Sequence, residues 1–391
     1  MSFEPNRALA IVAFAASCVV VQFATMPEAV GQEEINGHPL VFGVKPLEGA
    51  DLNVIQAQSD AAVGLKTWTY NVTSSRTGSK GQKFSGVMVG NSPITTNGTT
   101  STTVYVVPVI FDIGGDTFDP TVPDSACLGG KVPLTVLKNS PMVVATHDFK
   151  VNGVDVGKAQ YSDAFQRANF WKDVLAKGGT YHNKLVYKFL SPVIISPGSS
   201  HSTLLSVKGG CIASYGGVEI NWFDGHITGT VIPSLAGAGV GPTTLVVFMM
   251  YNTTMYVTTP SQCCVGGYHG AFGSPAQTYS PFQLDTVGVF GAGSEDIAIM
   301  THEVDEWQDD PFGSNATPTW GHIGQVGGCQ NNLEVGDPLT NKNYPNVPLN
   351  GYTYHLQELA FFSWFFGPPS IGAGGKFSDN GTLTAAQGPC S

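Results

Sequence analysis

Apolar and polar side chains alternate along residues 65–73 (LKTWTYNVT) and 83–90 (KFSGVMVG), a period of two that predicts two half-buried strands around the turn sequence GSKG. Residues 102–115 (TTVYVVPVIFDIGG) are apolar nearly throughout, which predicts a strand covered on both faces. The period changes over residues 161–176 (YSDAFQRANFWKDVLA), where Phe165, Ala168, Trp171 and Leu175 share a helical face and Ser162 stands at the N-cap position. Residues 183–196 and 243–259 return to strand patterning, while residues 218–235 (VEINWFDGHITGTVIPSL) fit either period. The aromatic run from Tyr352 to Phe366 predicts a core-packed helix stopped by Gly367 and Pro368; Gln357 and Glu358 within it are either its wet face or groups lining a cleft. Strands first, then strands mixed with helices, predict an α+β protein: a β-rich part over residues 32–158, then a mixed part over 159–391.

A second helix is predicted from Ser294, a good N-cap, to the stop at Pro311. At about 100° per residue, Ile297, Met300, Val304 and Trp307 gather within an arc of roughly 80°, the packing stripe. His302, Glu306 and Asp309 cluster opposite, and Glu303 projects sideways. This helix carries His-Glu-Val-Asp-Glu-Trp-Gln-Asp-Asp at residues 302–310, and no Lys or Arg occurs between Lys208 and Lys342. Carboxylates packed this densely repel one another and gain from a counter-charge, which a bound cation supplies. His302 and Glu306 have the i, i+4 spacing by which one helix offers two ligands to one metal, and Glu303 follows the first ligand as a general base would. The alternative is a solvated face, since polar residues opposite an apolar stripe are what any surface helix shows.

A third ligand must come from elsewhere. Asp309 shares the face but lies about 10 Å along the axis from His302, so it is assigned a supporting place. The stretch Asn332-Leu333-Glu334-Val335-Gly336-Asp337 offers Glu334 as ligand and Asp337 as the group bracing a ligand histidine, or else a plain solvated turn before Pro338. His269 and His322 are further candidates for ligation or oxyanion support.

Composition places this chemistry outside the cell. Residues 1–31 read as an export signal: Arg7, an apolar run over 8–21, and Ala29-Val30-Gly31 as the cleavage site before Gln32. An uncleaved anchor is the alternative; the apolar run, about 17 residues, is at the short edge of a membrane span. The expectation is a secreted, extracellular or periplasmic protein, free of the membrane once the signal is cleaved. Only 12 % of the chain is charged and its formal net charge is −11, which argues against nucleic acid and anionic membrane surfaces as partners. Six cysteines follow the signal, an even number that predicts disulfides; adjacent Cys263 and Cys264 are expected to pair with distant partners.

The blocks His302-Glu-Val-x-Glu-Trp-x-Asp-Asp-Pro311, Trp320-Gly-His322, Leu333-Glu-Val-Gly-Asp-Pro338 and the Tyr354-to-Phe366 run together resemble secreted bacterial zincin-like proteins of acidobacterial type. More distantly they are similar to the plant EXORDIUM, or phosphate-induced, family. The resemblance covers residues 240–391 and implies a zincin-like mixed sheet with an active-site helix and a C-terminal helix. It also implies a metal site with Glu in place of the second histidine, mapping onto His302, Glu303, Glu306 and Glu334. Pro338 follows Asp337 where the plant pattern has Leu-Cys, so no disulfide carries over there. A Zn2+ peptidase acting on extracellular protein or peptide is the leading expectation; one histidine with two carboxylates also suits the harder ions Mn2+ or Ca2+. The alternatives are a non-catalytic surface or matrix protein with a structural cation, and a metal-free adhesion protein.

Overall fold

The structure is a computed structural model that describes residues 34–391; the expected export signal lies outside the described residues. In chain order the first strands are β1 (Val41–Lys45), β2 (Thr67–Thr73), β3 (Lys83–Val89), β4 (Thr99–Ile113), β5 (Asp116–Phe118), β6 (His147–Val151) and β7 (Val154–Ala159). There follow β8 (His182–Phe189), β9 (Val193–Ile195), β10 (Ser202–Ser206), β11 (Ser214–Glu219), β12 (Leu245–Tyr251), β13 (Thr253–Tyr256), β14 (Cys263–Phe272) and β15 (Gln277–Leu284). The last are β16 (Ala316–Ile323), β17 (Val326–Asn332), β18 (Asn346–Leu349) and β19 (Tyr352–His355). The helices are α1 (Leu52–Asp60), α2 (Pro133–Lys138), α3 (Tyr161–Asn169), α4 (Trp171–Ala176), α5 (Ile220–His226), α6 (Ile232–Ser234), α7 (Ala298–Asp309) and α8 (Phe362–Phe366).

An eleven-stranded mixed sheet organises the molecule in the order β10-β11-β13-β14-β15-β12-β4-β5, with β1 on β14 and with β8 and β9 on β4. It takes strands from both sides of residue 158, while β2–β3, β6–β7, β16–β17 and β18–β19 form separate hairpins. β4 explains its own sequence. Val104 and Val106 enter one core and Tyr105, Val107, Val109 and Phe111 the other, so both faces of the strand are apolar. β12 does the same through Leu245, Val247 and Met249 on one side and Val246, Phe248 and Met250 on the other. The first core also takes in α3, α7 and the aromatic C-terminal run, so α7 lies on that face of the sheet against β14 and β15.

Several expected elements differ in detail. The helix over 161–176 breaks at Phe170 into α3 and α4; its N-cap is Gln160, and Ser162 is buried with Oγ 3.6 Å from the Met142 sulfur. The ambiguous 218–235 segment is helical beyond β11, running from α5 through a π turn at Ile227–Val231 into α6. Residues 243–259 split into β12 and β13 at Asn252, which has φ 42°. The aromatic run is not one helix: β19 and α8 flank residues 356–361. There the backbone is committed sideways, with the N–H groups of Leu356, Glu358 and Ala360 donating to the carbonyls of Pro345, Asn343 and Val335. α7 begins later than the Ser294 cap implies. Asp296 takes φ 51°, and its carboxylate accepts the Ile297 N–H at 2.5 Å.

Three cysteine pairs stand at disulfide distance: Cys127–Cys211, Cys329–Cys390 and Cys263–Cys264. The last corrects the expectation of distant partners; the other four cysteines among the described residues pair among themselves, and the neighbours meet at the buried start of β14.

Candidate metal centre

All twelve residues of α7 are buried. The sheet covers one side, and β3 and α3 pack on others, so the polar face opposite the Ile297–Trp307 stripe meets protein instead of water. That removes the solvated-face reading. Among the described residues the lysine–carboxylate pairs are Lys45–Asp224, Lys158–Asp148 and Lys208–Glu34, and none involves an acid of α7.

His302 is held by Gln357, whose Oε1 lies 3.0 Å from Nδ1 while its Nε2 donates to the Gly336 carbonyl at 2.7 Å. An amide oxygen only accepts, so Nδ1 carries the proton and Nε2 presents a lone pair. Nε2 is buried without a hydrogen bond, 3.1 Å from Glu306 Oε2 and 3.5 Å from Asp337 Oδ1. Gly336 admits the ring, because a Cβ there would overlap the imidazole.

The same logic repeats at His269 on β14. Its Nε2 donates to the Asp310 carbonyl at 3.1 Å, which leaves Nδ1 bare, 3.6 Å from Glu303 Oε2 and 3.8 Å from Glu306 Oε2. Burial, followed by the neighbouring His302, pushes His269 down to about 3, so it is neutral at any physiological pH. Glu306 joins the two halves: Oε2 faces both histidines, and Oε1 accepts the N–H groups of Gly336 (2.9 Å) and Asp337 (3.3 Å).

The remaining carboxylates surround this pair. Glu303 has no hydrogen bond at either oxygen and fits beside Gly267, whose Cβ would strike its side chain. Asp337 is oriented by two amides, Gln325 Nε2 at Oδ1 and Gln330 Nε2 at 3.0 Å from Oδ2. Glu334 accepts from Asn332 Nδ2 at 2.9 Å and meets the Glu306 carboxyl. Burial pushes Glu303, Glu306 and Glu334 well above the usual carboxylate range.

The structure therefore brings together His302, Glu303, Glu306 and Asp337, with Glu334 one step back behind Glu306. Asp309 faces elsewhere, accepting from Gln166 Nε2 (2.6 Å) and Asn169 Nδ2 (3.1 Å) of α3. His322 stands apart beside Cys329 and Cys390. Sequence reasoning placed Glu334 as the ligand with Asp337 bracing a histidine, whereas here Asp337 faces His302 and Glu334 lies behind Glu306. The place of His269 was left open, its only signal being a histidine in Gly-Tyr-His-Gly.

Two donor groups result, His302–Glu306–Asp337 and His269–Glu303–Glu306. Lone pairs aimed at carboxylates repel unless a cation, or a proton held on a carboxyl, lies between them. Within each group, donor separations of 3.1–3.8 Å suit ligands sharing a cation at bond lengths of about 2 Å. The residues fit a divalent metal. Comparison with protein families, with curated proteins and with solved structures finds no match for this chain.

Proposed function

We propose that this chain is an exported zincin-like metalloprotein, a metal-dependent hydrolase acting on extracellular peptide bonds. His302, Glu306 and Asp337 are its metal donors, His269 a fourth, and Glu303 the general base. The observation that supports it is a pair of bare imidazole nitrogens, each facing Glu306 Oε2 among buried carboxylates, with no Lys or Arg among them. A divalent cation supplies Lewis acidity, lowering the pKa of a water and polarising a carbonyl. Glu303 takes the proton of the attacking water on a carboxylate oxygen and returns it to the leaving amine; a carboxyl whose pKa burial has raised is suited to both transfers. Gln357 fixes the tautomer of His302, and the Asp310 carbonyl fixes that of His269. His269 is the weaker candidate for the base, because burial lowers its affinity for a proton. Two imidazoles favour Zn2+ over the Mn2+ or Ca2+ that a single histidine would suit.

The second reading is a non-catalytic surface protein with a structural cation. It is favoured by one observation, that His269, His302, Glu303 and Glu306 are at most 1 % exposed. Elemental analysis and peptide turnover on wild type, His302→Ala and Glu303→Gln separate the two. Stoichiometric metal in wild type and Glu303→Gln, lost in His302→Ala, with turnover in wild type alone, is the expected result. Metal without turnover, and a lower melting temperature on chelation, selects the structural cation. Absence of metal after equilibration with Zn2+ retires both.

A further inference from the structure

The proposed metal centre is covered by β1, and the way this strand is held resembles the binding of a ligand. β13 pairs with β14 only as far as Val265. Beyond that point the β14 edge is taken by β1, which runs parallel to it with Phe42 opposite Gly267 and Val44 opposite His269. Among the described residues no strand pairs with the outer edge of β1. Instead the Gln325 side chain clasps one residue, its Oε1 accepting the Phe42 N–H at 2.8 Å and its Nε2 donating to the Phe42 carbonyl at 3.0 Å. The same Nε2 reaches Asp337 Oδ1, so the clasp is continuous with the metal centre. These are main-chain contacts that any extended peptide could make.

Two side chains add selectivity. The Phe42 ring stacks on the His302 imidazole at 3.7 Å and 21°, and seals it. Three residues on, Lys45 pairs with Asp224, whose other oxygen accepts the hydroxyls of Tyr268 (3.0 Å) and Tyr279 (2.5 Å). Asp224 is thus a fixed, largely buried carboxylate aimed at a cation on the strand. Past Lys45 the chain leaves through Pro46–Asp51, where Pro46, Glu48, Gly49 and Asp51 are exposed.

We infer that the groove between the β14 edge and Gln325 is a binding site for an extended peptide carrying an aromatic residue over His302 and a basic residue three positions later. Val41–Lys45 is its internal occupant and keeps the centre closed. The inference builds on the proposed metal site only for what lies beneath the peptide; the groove itself is defined by β14, Gln325 and Asp224.

The test is binding of a fluorescent peptide copying residues 38–48 to the full chain, as wild type and as the double variant Phe42→Ala/Lys45→Glu. Weakening the internal competitor should tighten peptide binding by about ten-fold or more over wild type. Peptides with the aromatic or the basic residue replaced should bind the variant more weakly. A folded variant that binds no peptide, or binds a scrambled peptide equally well, overturns the inference. If the double variant does not fold, a protease site placed within residues 46–51 of the otherwise native chain is cut after folding. Exchange of the severed fragment for labelled peptide is then expected, and a fragment that does not exchange against excess peptide overturns the inference. The readout needs no metal. Peptide binding to a metal-free protein would retain the groove and remove the metalloprotein reading, while stoichiometric metal without peptide binding would do the reverse.

Discussion

At the residue scale the centre depends on which nitrogen of each histidine is free. His302 commits Nδ1 to Gln357 and His269 commits Nε2 to the Asp310 carbonyl, so the opposite nitrogens face the carboxylates. Replacing Gln357 with Leu frees the His302 ring and leaves its buried Nδ1–H without an acceptor, while the Gly336 carbonyl keeps the Leu339 N–H at 3.0 Å. Metal affinity should fall by roughly ten- to hundred-fold in competition with a chromogenic chelator. The chelated protein should lose about 1–3 kcal/mol in urea denaturation. The roles of Asp337 and Glu334 separate in the same assay. Asp337 Oδ1 lies 3.5 Å from the bare His302 nitrogen, whereas Glu334 reaches the centre only through Glu306. Asp337→Asn should therefore weaken metal binding more than Glu334→Gln does; the opposite order would restore Glu334 as the direct donor.

At the scale of elements, α7 is fixed at its start by a contact that the sequence does not announce. Asp296 caps Ile297 and pairs with His355 Nδ1 at 2.7 Å, tying the helix to the end of β19. Ser294 donates only to the Gly291 carbonyl, a local turn bond. Asp296→Ala should cost about 2–3 kcal/mol, as loss of hydrogen bonds to a charged group does when its partner His355 is partly exposed. Ser294→Ala should cost about 1 kcal/mol, as loss of a single hydrogen bond does. Chemical denaturation of the two variants checks the order. The apolar stripe of α7 and the i, i+4 pair His302/Glu306 were legible because both are periodic within one element. The burial of its polar face was not, because a helical wheel cannot distinguish water from a second layer of protein. β4 was legible because its two neighbouring cores demand apolar residues on both faces. Residues 356–361 were not, since aromatic spacing records burial but not the backbone bonds to Pro345, Asn343 and Val335 that replace helix. His269 joins the centre only through the packing of β14 on α7, a long-range fact with no local pattern.

Over the whole molecule, the buried acids make stability depend on pH and on the cation together. Burial raises Asp285 and Asp379, both outside the metal centre, to about 7. It also raises Glu303, Glu306 and Glu334 within it. A carboxyl whose folded pKa lies above its unfolded one binds more protons when folded. Its contribution is therefore fully present below about pH 4 and is lost as pH rises through the folded pKa, about 7 for Asp285 and Asp379. His355, raised by its bond to Asp296, acts in the same direction. His269 opposes them: depressed from 6.5 to about 3, it lends stability above 6.5 that is lost as pH falls towards 3. The acids outnumber it, so the chelated protein should melt at a lower temperature at pH 8 than at pH 5. With metal bound, the charges of the centre are compensated, and the groups outside it, Asp285, Asp309, Asp310, Asp379 and His355 among them, remain to give a shallower fall. Calorimetry with and without chelator at the two pH values measures this directly. A chelator effect that grows with pH supports a cation among these carboxylates, and one that is absent at pH 8, where the ionised centre needs it most, rules the cation out in either its catalytic or its structural role.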